Sequence, residues 1–180
     1  MAAETRRERA KKPRQPPELS EASLEEAALS YLNRFDCSVA KLKKQLASVV
    51  RRRGGEPAQF KRFIEGLLER YQRSGLLNDE RFAARLAARL QERGASRRAI
   101  LLKLRVRGIA SNVAEASVGG GREGELESAK AYARRRKLGP HRPEAERAEN
   151  RRRDLAAMAR AGFDHETAIR AMSLGADDDF

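Results

Sequence analysis

From Leu19 onward, apolar residues return every three to four positions, the period of an amphipathic helix rather than of a strand. Leu24, Ala27, Ala28, Tyr31, Leu32 and Phe35 form a first stripe. Val39, Leu42, Leu46, Val49 and Val50 form a second, opened by Ser38 as an N-cap and closed at Gly54-Gly55. Phe60, Phe63, Ile64, Leu67, Leu68 and Tyr71 form a third, opened after Pro57. Three short helices, each with one apolar side, can bury those sides together as a bundle.

The plan recurs. Residues 74–81 read as a turn and cap, in which Asp79 can accept hydrogen bonds from the free amides of the helix that follows. That helix carries Phe82, Leu86 and Leu90 and stops at Gly94; Ser96 caps the next, with Ile100, Leu101 and Leu104, which stops at Gly108. Ser111 starts a short helix with Val113, Ala114 and Val118, closed by Gly119, Gly120 and Gly121. A last round runs through Leu126, Ala129, Tyr132 and Ala133, then Leu155, Met158 and Gly162, then Ala168, Ile169 and Met172. Gly54, Gly108 and Gly162 are spaced 54 residues apart, and so are Val50, Leu104 and Met158, and Ile64, Val118 and Met172. The expected fold class is all-α: three tandem three-helix repeats over 19–74, 75–121 and 122–175, in an elongated, curved row. The alternative is one irregular helical domain with chance glycine spacing.

Composition supports the helical reading. Hydrophobic residues make up 40% of the 180, but 30 of these positions are Ala, so the cores are thin. No apolar run approaches the roughly 18 residues of a membrane span, and no signal segment opens the chain. Cys37 is the single cysteine, which suits a reducing, cytoplasmic setting. Residues 1–18 are basic and rich in proline, with little to bury, and are expected to be disordered, either as a weak polyanion-binding arm or as a solubilising tail. Residues 176–180 form an acidic end, read as a solvated terminus rather than a cation site.

Chemistry-bearing constellations are lacking. One cysteine and two distant histidines, His141 and His165, make no recognisable zinc site. The glycine triplet is not followed by Lys-Ser/Thr, so it is no phosphate-cradling loop. The abundant carboxylates lie beside Arg and Lys at helical spacing and read as surface pairs. No catalytic residue, metal or cofactor is expected, and an enzyme is disfavoured.

The charge is the remaining signal: 39 Lys and Arg against 26 Asp and Glu, a net +13. Residues 78–121 are the most one-sided stretch, with nine basic and four acidic side chains. Arg81, Arg85, Arg89 and Arg93 recur every fourth residue, which lines them into a slowly turning row on one helix. Arg97, Arg98, Lys103, Arg105 and Arg107 follow on the next. Lys43, Lys44, Arg51 and Arg52 come from the first repeat, and Arg134, Arg135, Arg151 and Arg152 from the third. Clustered guanidinium groups repel one another unless something negative lies opposite. This set is the candidate basic face for a polyanionic partner, whether nucleic acid, an acidic protein surface or both; a solvated face is the plainer alternative. Seven of the nine aromatics, Phe35 among them, fall on or near expected helix cores, which argues for backbone phosphate or protein contacts over base stacking.

The run Gly75-Leu76-Leu77-Asn78-Asp79-Glu80-Arg81-Phe82-Ala83, followed by Arg89 and Arg93-Gly94, resembles the hallmark segment of the RecX family of recombinase regulators. Tyr31-Leu32 with Arg34, Arg53-Gly54, Arg107-Gly108-Ile109 and Arg160-Ala161-Gly162-Phe163 are similar to that family in the same order. The resemblance implies tandem three-helix repeats. It further implies a non-enzymatic protein of homologous recombination and DNA repair that binds RecA and its filaments on single-stranded DNA. Such a protein restrains filament growth, strand exchange and coupled ATP hydrolysis. Asp79, Phe82, Gly54, Gly94, Gly108 and Gly162 are then structural, as cap, core and turn residues. Competing readings from charge alone are a general basic nucleic-acid-binding protein without RecA specificity, and a purely structural or assembly protein.

Overall fold

A computed structural model describes residues 18–173, and within them every regular element is helical. The helices are α1 (Glu21–Leu32), α2 (Val39–Arg52), α3 (Lys61–Arg73), α4 (Asp79–Glu92), α5 (Arg97–Val106), α6 (Ser111–Ser117), α7 (Gly121–Arg136), α8 (Glu144–Ala161) and α9 (His165–Ser173), with one 3-10 turn at Gly139–His141. The expectations for the basic N-terminal segment and the acidic end fall outside the described residues.

Side-chain caps account for most of the helix starts. Ser20 and Ser23 exchange backbone-to-hydroxyl hydrogen bonds at the head of α1, and the hydroxyls of Ser38 and Ser96 accept from the amides of Lys41 and Ala99, each at 3.2 Å. Asp164 caps α9 by accepting from the Thr167 amide and hydroxyl, and these bonds hold its carboxyl below the usual range.

Buried apolar side chains gather in three clusters, one for each successive trio of helices. Val50, Leu104 and Met158 are each wholly buried, in the first, second and third cluster, and Ile64, Val118 and Met172 are buried in the same order. The 54-residue recurrence is therefore a recurrence of core positions. Phe82 sits in the second core, as its spacing predicts.

The repeats meet through one joint used twice. Ser38 and Ser96 not only accept at the heads of their own helices but also each donate a hydroxyl proton to the end of a helix in the next repeat. Ser38 donates to the Arg107 carbonyl at 2.5 Å, and Ser96 to the Ala161 carbonyl at 2.6 Å. A carboxylate from the next repeat takes the first free amide beside each serine: Asp79 from Val39 at 2.9 Å, Glu125 from Arg97 at 2.8 Å. The glycine that ends the abutting helix lets the backbones come this close. A Cβ on Gly108 would overlap that of Ala40, and one on Gly162 would lie 2.6 Å from the Ser96 hydroxyl oxygen. Gly54, the corresponding glycine of the first repeat, shares their positive φ yet faces open space. Gly94 serves a second approach: a Cβ there would lie 2.5 Å from the Tyr132 amide nitrogen and 2.8 Å from the Ser128 carbonyl oxygen of α7.

Five expectations need correction. Asp79 does not cap its own helix: Asn78 does, accepting from the Arg81 amide at 2.7 Å, which leaves the Asp79 carboxylate for α2. Phe35 is not core; it lies beyond the end of α1, 51% exposed, tilted against Tyr31 with the Arg34 guanidinium over its ring. Phe60 precedes α3 and only partly packs on the first core. Leu77, placed in the second repeat by a boundary at residue 75, is buried in the first cluster, because the Leu77 amide bonds back to the Tyr71 carbonyl and folds the turn inward. Asp154 is no surface partner: it is 1% exposed, takes both Nε and a terminal nitrogen of Arg142 at 2.8 and 2.9 Å, and accepts from the Gly139 amide. That bidentate pair, with Arg147 bonded to the Arg142 and Pro140 carbonyls, fixes the proline loop between α7 and α8.

Candidate functional site

All seventeen basic residues of the expected face are exposed. They are not equally available. Arg85 pairs with Asp36 at 2.7 Å, Lys43 with Glu65 at 2.8 Å, and Arg105 stands 4.0 Å from Glu115. Arg81 donates to the Gly75 carbonyl, Arg97 to that of Val118, and Arg135, stacked over Tyr132, to that of Arg93. These pairs are solvent-exposed and contribute little stability, so a partner can exchange them at small cost.

The side chains of Lys44, Arg51, Arg52, Arg89, Arg93, Arg98, Lys103, Arg107, Arg151 and Arg152 carry no ion pair or hydrogen bond among the described residues. Several of the basic side chains sit where a helix C-terminus favours a cation: Arg51 and Arg52 on the last turn of α2, Lys103 and Arg105 on that of α5, Arg134, Arg135 and Arg136 on that of α7. Part of the basic pattern therefore serves the helices, and the remainder projects from them.

Cations also border two depressions of the surface. Between α1 and α2 a cavity of about 420 Å³ is bordered by Arg34, Arg52 and Arg53, whose guanidinium donates to the Ser23 hydroxyl at 2.9 Å. At the junction of the second and third repeats lies a larger groove, about 720 Å³, floored by Leu101, Leu102 and Val118 and edged by Arg97, Arg98, Arg105 and Arg122. Sequence reading missed this groove, because its walls come from α5, the glycine triplet before α7, and the turn before α9. The one available signal was Leu102, an apolar residue outside the buried stripe of α5.

Two carboxylates share that groove and both are already engaged. Glu125 holds the Arg97 amide; its burial, with Asp164 nearby, raises its pKa above the ordinary glutamate value. Asp164 is tied up as the cap of α9.

Elsewhere the chemistry is quiet. The Cys37 thiol is buried and pushed up to about 11, chiefly by desolvation and then by Asp36 and Asp79, so it is a poor nucleophile near neutrality. Among the described residues no group of three or more His, Cys, Asp or Glu side chains could hold a metal ion, and no helix is long and apolar enough to cross a membrane.

Comparison with known proteins bears on the same elements. A family model described as the second three-helix domain of RecX matches residues 78–118, which span α4 to α6. A regulatory protein RecX from Myxococcus xanthus is 39% identical over 158 residues, covering 84% of either chain. A second, from Agrobacterium fabrum, is 28% identical over 137 residues and 73% of each. A crystal structure of regulatory protein RecX superposes with a TM-score of 0.65 at 19% identity, covering 86% of this chain and 72% of that one. RecX from Lactobacillus salivarius superposes at 0.64 and 16% identity, covering 84% and 94%. At those identities the structural matches establish the fold.

Proposed function

The chain belongs to the RecX family of regulatory proteins, and from that premise we propose that it binds the RecA recombinase, chiefly as filaments on single-stranded DNA, and restrains filament growth, strand exchange and the coupled ATP hydrolysis. The observation that carries this reading is the set of exposed, unpaired cations spread over three jointed repeats, from Lys44 and Arg52 through Arg89 and Arg98 to Arg151 and Arg152. Each helix of about a dozen residues is roughly 18 Å long, so three repeats in series span a length on which several protomers of a filament, and the strand they coat, can be engaged together. Phosphates and surface carboxylates neutralise the cations, while the second-repeat core that supports α4 keeps their row in register. On this reading the protein acts by occupying the filament rather than by catalysis, in the cytoplasm where RecA works.

The test is the rate of ATP hydrolysis by RecA on single-stranded DNA with the protein added below stoichiometry. Slowing that deepens with time supports restraint of filament growth. Unchanged hydrolysis, with tight and strongly salt-dependent binding to bare DNA or RNA, would establish instead the general nucleic-acid binder that the +13 charge also allows.

A further inference from the structure

Not every exposed side chain near the arginines suits a phosphate backbone. On α5, Leu102 is 63% exposed and Val106, one turn further on, 73% exposed, the two most solvent-accessible large apolar residues of the described chain. Both stand on the helix that forms one wall of the 720 Å³ groove, and Leu102 lines it with Leu101. The other wall belongs to the third repeat, and the Ser96 and Glu125 joint holds the two together. The cleft is therefore built by the fold rather than opened by a loose loop.

The rim is cationic and loosely held. Arg98 has no ion-pair partner among the described residues, Arg122 reaches Glu166 only at 3.9 Å, and Arg105 reaches Glu115 only at 4.0 Å. No aromatic side chain lines the groove, so a base would find no stacking platform. A phosphate backbone would gain nothing from the exposed apolar side chains of Leu102 and Val106.

We infer that this groove docks a short acidic segment carrying a bulky apolar side chain, supplied by a RecA protomer, while DNA phosphates engage the unpaired cations of α2, α4 and α8. The apolar side chain covers Leu102 and Val106 as the flanking carboxylates meet Arg98, Arg105 and Arg122. Salt-bridge energy at such a rim is small, so the buried apolar contact supplies most of the affinity and the arginines the selection. This inference rests on the RecA reading above and divides the labour within it.

The experiment compares Leu102→Ser with Val106→Ser, made together, against the unchanged protein. Both substitutions are at exposed positions, leave every charge in place, and are checked for retained helicity. Binding is measured to RecA filaments on single-stranded DNA and to bare single-stranded DNA at one salt concentration. The expected result is at least a tenfold loss of filament affinity with bare-DNA affinity held within twofold, and Arg98→Gln with Arg122→Gln moves filament binding the same way. Filament affinity that survives either pair overturns the docking site and leaves the RecA reading standing. Equal loss toward filament and bare DNA makes the groove a nucleic-acid site and also overturns it. If removal of residues 174–180 tightens filament binding tenfold, the chain's own acidic end is the occupant and the inference fails. An unchanged protein that ignores filaments altogether sinks the RecA reading and this inference with it.

Discussion

The Asp79 carboxylate accepts a hydrogen bond from the amide of Val39 at 2.9 Å, binding the first residue of α4 to the first residue of α2 across a repeat boundary. Glu125 and Arg97 make the same bond at the next boundary, at 2.8 Å. A residue that local rules place at the head of its own helix thus completes the cap of another. Replacing Asp79 with Ala will cost about 1 kcal/mol in equilibrium denaturation, the usual worth of a helix cap, and Asp79→Asn, which keeps an acceptor, will recover part of it. Ser38→Ala will cost a similar amount, and the double variant will lose less than the sum because the two groups serve one joint. Strict additivity would mean that they act separately.

The glycines at the ends of α2 and α5 provide a controlled comparison. Gly54 and Gly108 have φ of 77° and 79°, so an alanine at either pays about 1 kcal/mol for the left-handed backbone. Only at Gly108 does the new methyl meet a neighbour, Ala40. Gly108→Ala will therefore be the more destabilising by at least about 1 kcal/mol, the cost of overpacking, and will expose the first joint to proteolysis. Equal losses at both positions would contradict the joint.

Acid will act on the third repeat through Asp154. Its hydrogen bonds from Arg142 hold its carboxyl below the ordinary aspartate value, so the stabilisation is complete above the unfolded-state pKa of about 3.9 and disappears as pH falls through the depressed folded value. Asp154→Asn will be less stable at neutral pH, because it gives up the charge-assisted bonds from Arg142, a loss tempered by that guanidinium's access to water. The gap between the two proteins will close as pH drops below 4. A gap that is constant with pH would mean that the pair is not ionised.

Much of the fold is written in local pattern. The 3.6-residue stripes, the serine caps and the fifty-four-residue return of Val50, Leu104 and Met158 each follow from short-range rules, and each corresponds to a buried core or a capped end. What local pattern does not carry is what one repeat does to the next. Asp79 looked like a cap because its own helix begins there, and nothing nearby in sequence points to Val39. Phe35 continued a periodic stripe but lies past the end of α1, where periodicity no longer dictates orientation. Asp154 was indistinguishable from the neighbouring surface carboxylates until the proline loop brought Arg142 back over α8. The basic face was legible as exposure and charge. The groove was not, since its walls meet only when two repeats dock.

Of the row on α4, Arg85 is paired with Asp36, which makes Arg89 and Arg93 the better probes of binding. Changing both to Ala will leave helicity intact and weaken binding to single-stranded DNA. The slope of log K against log salt will fall by about 0.7 for each phosphate contact removed. An unchanged slope would assign these two arginines to solvent alone.

The most direct measurement is co-sedimentation of the protein with RecA filaments on single-stranded DNA, run beside the same DNA without RecA at physiological salt. The account predicts that the protein pellets with the filament at concentrations where bare DNA leaves it in the supernatant. Equal recovery from both, or none from the filament, would contradict it.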